Sequence, residues 1–343
     1  MKRSVLDQVA QDYHLAEPAV AAALEFTGAR PDAAAWHGFT LRLLNAAGIG
    51  ALGAGLIFFV AANWRDYGTL GRFAILEAAF IACVGFALWR PPPGTLGQSA
   101  LVLATLVTGA LLALFGQSYQ TGADLYELFF VWAALALPFA LAGRSGAVWA
   151  TWWTVLNVAL ALYCGLQDAD HFMWLWLDRW GIDRPMLLLM SGFVDLAGAA
   201  AVVYLARTRF AEHAPHWLAR TLATYGFLFA TLACIVAIAQ NGVFVARVPA
   251  TTRHGLDVVA IFTVACALIG TATVQRRIDV YPLALIAASA IAVSTTLLVH
   301  NIKLNDLGDF FVISIWLIAT STAAGFMLMR WVRAWRTHAG ANA

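Results

Sequence analysis

The stretch L-N-A-A-G-I-G-A-L-G-A-G-L-I-F-F-V-A-A-N at residues 44–63 holds no charged side chain and is long enough to cross a lipid bilayer as a helix. Nine further apolar runs with few charges lie at residues 70–89, 97–116, 125–142, 146–165, 185–206, 217–240, 254–275, 280–300 and 309–331. The run at 125–142 is the weakest, since it is short and opens with Tyr126 and Glu127. With 62% hydrophobic residues, 12% charged residues and a mean hydropathy of +0.75, the chain has too little charge to cover a water-soluble surface. We predict an all-α, polytopic membrane protein with about ten transmembrane helices.

Three parts are expected along the chain: a cytoplasmic helical segment at 1–40, a transmembrane bundle at 41–336 and a disordered tail at 337–343. Residues 3–13 and 17–27 can each form a short helix, with Pro18 in the first turn of the second. Forty residues cannot build much of a core. The segment is therefore either a helical hairpin against the bundle or a docking module for a partner protein of the envelope. No cleavable signal peptide is visible, so the first span should act as an uncleaved anchor.

The basic residues predict the orientation in the membrane. With ten spans, fourteen Lys and Arg flank the side that carries both termini, against seven on the opposite side. Short loops with more basic residues lie in the cytoplasm, so both termini should be cytoplasmic. Membrane lipids are the expected partners. The net charge of +2 and the absence of a basic stripe argue against nucleic acid.

Polar residues gather where the odd-numbered spans reach the outer side. The motifs are A-A-N-W-R-D-Y at 61–67, G-Q-S-Y-Q-T-G-A-D at 116–124 and H-N-I-K-L-N-D-L-G-D-F-F at 300–311. If these loops converge, they line an outward-facing vestibule of Asn63, Asp66, Gln117, Gln120, Asp124, His300, Asn301, Asn305, Asp306 and Asp309. Such groups can bind a cation, pass protons or hydrogen-bond a lipid headgroup. The alternative is that amides and acids only cap helices and form turns.

Two acids lie inside spans. Asp195 is about ten residues into the sixth span, roughly 15 Å deep, and Glu77 is about seven residues into the second, roughly 10 Å deep. An ionised acid at the centre of a membrane helix costs at least about 2.5–3.5 kcal/mol, so both are candidates for an intramembrane relay or binding group. The alternative is a neutral or hydrogen-bonded acid that joins helices, for example through Asn157, Tyr225 or a Ser/Thr of another span.

Small residues predict close helix contacts at two places. Ala46, Gly50 and Ala54 recur every four residues in the first span, and Gly192 and Gly198 flank Asp195. The run H-F-M-W-L-W-L-D-R-W at 171–180 is too short to span and predicts an amphipathic helix in the outer interface, or a gating lid.

Few patterns indicate catalysis. The four cysteines form no CxxC pair, so no disulfide or zinc site is expected, and we predict no metal and no cofactor. No catalytic motif is present, and we assign no catalytic residue, although a lipid-directed membrane enzyme remains open.

Two strings resemble a known family. G-A-G-L-I-F-F-V-A-A-N-W at 53–64 and L-F-G-Q-S-Y-Q-T-G-A-D at 114–124 resemble the bacterial membrane proteins grouped as domain of unknown function 2157, over roughly residues 40–140. N-D-L-G-D-F-F at 305–311 looks like a related uncharacterised multi-span family. The resemblance implies a polytopic inner-membrane protein of a Gram-negative bacterium. It transfers no activity and no site residues.

Two hypotheses of function follow. The first is a transporter, channel or lipid-handling protein. In it the outer polar residues form the vestibule, and Asp195 and Glu77 are the internal relay or binding groups. The second is a non-transporting scaffold, sensor or assembly factor of an envelope complex. A water-accessible cavity from Asp195 to the outer cluster favours the first, whereas a solid bundle with Asp195 hydrogen-bonded between helices favours the second. From the sequence we prefer the first, because ten spans with an asymmetric polar face exceed what anchoring requires.

Overall fold

All regular structure in the described part of the chain is helical. The computed structural model describes residues 13, 16–26, 30–62, 67–120, 122, 124–166, 184–206, 215–241, 253–276, 279–301 and 307–340. The helices are α1 (Glu17–Phe26), α2 (Ala33–Ala62), α3 (Thr69–Trp89), α4 (Thr95–Tyr119), α5 (Leu125–Gly143), α6 (Gly146–Ala161), α7 (Arg184–Leu205), α8 (His216–Asn241), α9 (Arg253–Arg276), α10 (Tyr281–Asn301) and α11 (Leu307–Gly340), with a π-helical turn at Leu162–Leu166 after α6.

Ten spans, α2 to α11, are long and apolar enough to cross a membrane by length and composition, where the span of α6 includes the start of the π-helical turn as far as Cys164. The predicted all-α membrane fold with ten spans is therefore confirmed, including the weak run at 125–142, which forms α5. The helix expected at 17–27 is α1, with Pro18 in its first turn. The helices predicted at 3–13 and 171–180 fall on residues outside the described ranges, apart from Tyr13.

The first span begins earlier than its apolar run. α2 starts at Ala33, eleven residues before Leu44, because Asp32 caps it: Asp32 Oδ1 accepts a hydrogen bond from Ala35 N at 2.7 Å. Nothing between Ala33 and the apolar run breaks the helix, so the boundary predicted at residue 40 lies inside α2.

The chain divides into two compact units. Residues 1–72 with 336–343 form the first, and residues 73–335 form the second. In the first unit the large apolar side chains Phe26, Trp36 and Leu44 are exposed. Apolar side chains that face outward are ordinary for helices whose surroundings are lipid.

In the second unit α8 is the most buried span. More than half of its apolar window is buried, whereas none of the window of α11 is. α8 contacts α6, α7, α9 and α10. Its small side chains Ala230, Ala233 and Ala237 are fully buried, so neighbouring helices approach it closely. Towards α10, Thr231 Oγ1 lies 2.8 Å from Ser289 Oγ and Thr224 Oγ1 lies 2.7 Å from Tyr281 OH.

Two tryptophans join α4, α5 and α6. Trp132 Nε1 of α5 donates a hydrogen bond to the Thr105 carbonyl of α4 at 2.7 Å, and Trp152 Nε1 of α6 donates to the Ala133 carbonyl of α5 at 2.8 Å. Gly109 leaves room for the first of these rings, because a Cβ built there would come closer than 3.0 Å to the Trp132 indole. The indole therefore sets the spacing between α4 and α5.

We expect Gly109→Ala to lower stability by about 1–3 kcal/mol, the usual cost of overpacking. A second change, Trp132→Leu, should remove the clash, so the double variant should lose less stability than the sum of the single variants. The thermal denaturation midpoint in detergent measures both effects. Gly85→Ala is the control, because a Cβ at Gly85 meets nothing within 4 Å. If the stability losses of Gly109→Ala and Trp132→Leu simply add in the double variant, the Trp132 indole does not pack against position 109.

An exposed ion pair connects α8 to the start of α10. Arg220 Nη2 lies 2.9 Å from Asp279 Oδ2, and the two side chains are 55% and 34% exposed. The Arg220 guanidinium also lies over the Tyr281 ring, 5.4 Å from its centroid. Asp279 has a second role, since its Oδ1 accepts a hydrogen bond from Tyr281 N at 3.1 Å and so caps α10.

Removing Asp279 should therefore cost more than removing Arg220. An exposed ion pair contributes at most about 1 kcal/mol, whereas a lost cap costs about 0.5–2 kcal/mol in addition. We expect Asp279→Ala to lower the denaturation midpoint further than Arg220→Ala does. Equal midpoints for the two variants would show that the cap contributes nothing.

Candidate functional site in the α6–α7–α8 core

The central acid of α7 is fully enclosed. Asp195 is the twelfth of the 22 residues of α7, and its side chain is 0% exposed. The buried positions Leu188, Ser191, Asp195, Ala199 and Val202 recur every three or four residues and so form one helix face. The acid therefore lies in the middle of the face that packs into the core.

Asn157 of α6 is the hydrogen-bond partner of Asp195. Its Nδ2 donates to Asp195 Oδ1 at 3.0 Å and to the Trp153 carbonyl of its own helix at 2.9 Å. Asn157 is itself buried, with 5% exposure. Asn157 is one of the partners predicted from the sequence. The pair thus joins α6 to α7 inside the bundle.

Glycines bring α7 and α8 into backbone contact one turn from Asp195. A Cβ built on Gly192 would lie 2.7 Å from the Gly226 carbonyl oxygen and 3.0 Å from Ala230 N. A Cβ built on Gly198 would lie 2.9 Å from Cζ2 of Trp153. The predicted close approach at Gly192 and Gly198 is confirmed. The close packing of α7 against α6 and α8 at these two glycines encloses Asp195 between helices.

Polar side chains of α6 and of the π-helical turn after it also meet partners on α7 and α8. Thr154 Oγ1 lies 3.2 Å from Tyr225 OH of α8, and Cys164 Sγ lies 3.8 Å from Ser191 Oγ of α7. Tyr225, named above as an example of a partner for Asp195, contacts Thr154 instead. The contacts of Thr154 and Cys164 are not predicted from the sequence.

Two oxygens of the pair have no hydrogen-bond partner. Asp195 Oδ2 and Asn157 Oδ1 are both buried and unsatisfied among the residues that the structure describes. A buried acceptor without a donor costs about 1–3 kcal/mol. In the same described part of the chain, no Lys, Arg or His forms an ion pair with Asp195, and no group of three His, Cys, Asp or Glu could hold a metal ion. The pair is a buried polar site without a paired countercharge among the described residues.

Glu77, the other acid proposed for the interior, is exposed on α3. The buried residues of α3 are Leu76, Cys83 and Ala87, and its Phe80 ring lies 6.0 Å from the Phe139 ring of α5. Glu77 therefore lies outside the packed core that contains Asp195.

The described residues of the predicted vestibule lie at or near helix ends. Gln117, Gln120, Asp124 and His300 are exposed, and Asp309 is half-buried. Asn301 is the last residue of α10, and Asn63, Asp66, Asn305 and Asp306 lie outside the described residues. α4 ends at Tyr119, and Gln120 follows in the left-handed conformation, as expected for a helix terminus. That the outer loops converge stays a prediction.

The comparison with protein families matches the first part of the chain. The model of a family described as "Predicted membrane protein (DUF2157)" matches residues 8–149. That range runs from before α1 to the start of α6 and ends before Asn157 and Asp195. No curated protein and no solved structure gives a significant match. The resemblance predicted from the motifs is thereby confirmed: this chain is a multi-pass membrane protein that is similar, over residues 8–149, to that family of membrane proteins.

Proposed function

We propose that this protein is a non-transporting membrane component: a scaffold, sensor or assembly factor of a complex in the bacterial inner membrane, with both termini in the cytoplasm. The observation that carries the proposal is the enclosure of Asp195, which is fully buried and hydrogen-bonded to Asn157 between tightly packed helices. This packing reverses the preference for a transporter that the sequence alone suggested.

The continuity of the helices supports the same proposal. Transporter sites near the bilayer midplane are commonly formed by discontinuous helices, whose broken ends point at the substrate. α7 passes through Asp195 without interruption, and α8 is a continuous helix of 26 residues beside it. Gly192 and Gly226 hold these two helices in backbone contact. Such a contact favours a rigid core over one that opens during each transport cycle.

In this proposal the partner is bound through surfaces outside that core. α1 has no buried residue, and Phe26 at its end is 94% exposed. The N-terminal segment is thus the proposed docking module for an envelope protein. Membrane lipids surround the apolar faces of the spans.

A comparison of three variants in the native host tests the proposal. Deletion of residues 1–30 should reproduce the phenotype of a full deletion, whereas Asp195→Asn and Asp309→Asn should behave as wild type. Membrane levels of all three proteins must match by immunoblot. If the two substitutions cause the phenotype and the truncation does not, the scaffold proposal is wrong.

A second candidate is proton- or cation-linked transport, and one observation favours it. The unsatisfied oxygens Asp195 Oδ2 and Asn157 Oδ1 form a polar site at mid-helix, where acids often serve as relays. Purified protein in liposomes with an imposed pH gradient and an enclosed pH-sensitive dye tests it. We expect no proton flux above that of protein-free liposomes. A flux that disappears in Asp195→Asn would replace the scaffold proposal with this one.

A further inference from the structure

We propose that the Asp195–Asn157 pair is a proton-binding site in which Asp195 Oδ2 carries a proton and donates a hydrogen bond to Asn157 Oδ1. The protonation state of Asp195 at neutral pH is the same whether the protein is a scaffold or a transporter. It follows from the number of hydrogen-bond donors and acceptors in the pair. Asn157 Nδ2 has two N–H groups, and both are used, one by the Trp153 carbonyl and one by Asp195 Oδ1.

The orientation of the Asn157 amide is fixed by Trp153. A carbonyl oxygen can only accept, so the amide nitrogen and not the amide oxygen must face it. Turning the amide over would place its oxygen against two acceptors, the Trp153 carbonyl and Asp195 Oδ1. Asn157 Oδ1 therefore remains an acceptor that needs a donor.

An ionised Asp195 cannot supply that donor, because a carboxylate only accepts hydrogen bonds. In that state both Asp195 Oδ2 and Asn157 Oδ1 are buried acceptors without a partner, as found. One proton on Asp195 Oδ2 gives both oxygens a hydrogen-bond partner, because Oδ2 then donates to Asn157 Oδ1. The two planar groups are already joined by the hydrogen bond from Asn157 Nδ2 to Asp195 Oδ1. The result is a paired acid and amide in which each group donates once to the other.

Among the residues that the structure describes, no cation is paired with Asp195 to hold it as an anion. Arg184 begins α7 roughly 16 Å away along the helix axis. Arg220 of α8 is exposed and paired with Asp279, and Asp257 of α9 is exposed. Two other titratable side chains contact polar groups of these helices in the described part of the chain: Cys164, in the π-helical turn after α6, lies against Ser191, and Tyr225 of α8 contacts Thr154. Neither Cys164 nor Tyr225 is a cation.

Infrared spectroscopy of the purified full-length protein in lipid nanodiscs at neutral pH tests the site. A protonated carboxyl group absorbs apart from carboxylates, and its band shifts in heavy water. We expect this band in wild type, its loss in Asp195→Asn and its retention in Asp309→Asn. In Asn157→Leu the band should move to higher frequency, because the proton loses its acceptor.

Three results would overturn the proposal. The first is a wild-type spectrum at neutral pH without a protonated carboxyl band that responds to 13C-aspartate labelling, a measurement that needs no variant to fold. The second is a band that persists unchanged in Asp195→Asn. The third is a wild-type band that appears only when sodium is removed, because a sodium ion and not a proton then occupies the site at ordinary salt.

Discussion

Replacing Gly192 by leucine should prevent α7 from packing on α8 and remove most of the folded protein. Even a methyl group at this position would lie 2.7 Å from the Gly226 carbonyl oxygen and 3.0 Å from Ala230 N. Both atoms belong to the backbone, so no side chain can rotate away and the two helices must separate. Gly192→Ala should already cost about 1–3 kcal/mol, as overpacked cores do, and the leucine variant should cost more.

The matched control is Gly85→Leu on α3, where a Cβ meets nothing within 4 Å. The yield of monodisperse protein in detergent and the denaturation midpoint should fall in the order wild type and Gly85→Leu, then Gly192→Ala, then Gly192→Leu. If Gly192→Leu is as stable as Gly85→Leu, the close contact of α7 with α8 is not present.

Replacing Asp195 by leucine should have the second-largest effect. The change removes the partner of one N–H and of the carbonyl oxygen of the Asn157 side chain, which are buried in an apolar core. Each buried group without a hydrogen bond costs about 1–3 kcal/mol. Asp195→Asn should be close to wild type, because the new amide can donate to Asn157 Oδ1 while accepting from Asn157 Nδ2. The denaturation midpoint of the two variants measures this difference. An asparagine variant as unstable as the leucine variant would contradict the paired acid and amide.

A double-mutant cycle isolates the interaction itself. Asp195→Leu and Asn157→Leu should each destabilise, and the double variant should lose less than their sum. Side-chain hydrogen bonds between membrane helices contribute about 0.6 kcal/mol on average and up to roughly 1.7 kcal/mol. A coupling in that range supports the contact. Additivity would show that the two side chains do not interact.

The architecture was predictable from the sequence because a membrane restricts the possibilities. Backbone groups in hydrocarbon must be satisfied within the segment, so a long apolar run has to be a helix. The start of α2 was not predictable from hydropathy, since Asp32 caps the helix eleven residues before the apolar run begins. Caps act through local hydrogen bonds and leave no trace in a hydropathy pattern.

The candidate site was predictable only in part. Asp195 stands out as an acid in an apolar run, and Asn157 is the one carboxamide side chain of α6. Which polar group meets the acid depends on the register of α6 against α7. That register follows from contacts such as Gly198 with Trp153, which a single sequence does not reveal.

Solvent access at position 195 is the most direct test of the closed core. Asp195→Cys and Asp124→Cys in the full chain are treated with a membrane-impermeant thiol reagent in proteoliposomes with both faces accessible. Wild type gives the background from the native cysteines. We predict reaction at position 124, which is exposed before α5, and none at position 195 until the protein is unfolded. Rapid reaction of Asp195→Cys in folded protein would contradict the account.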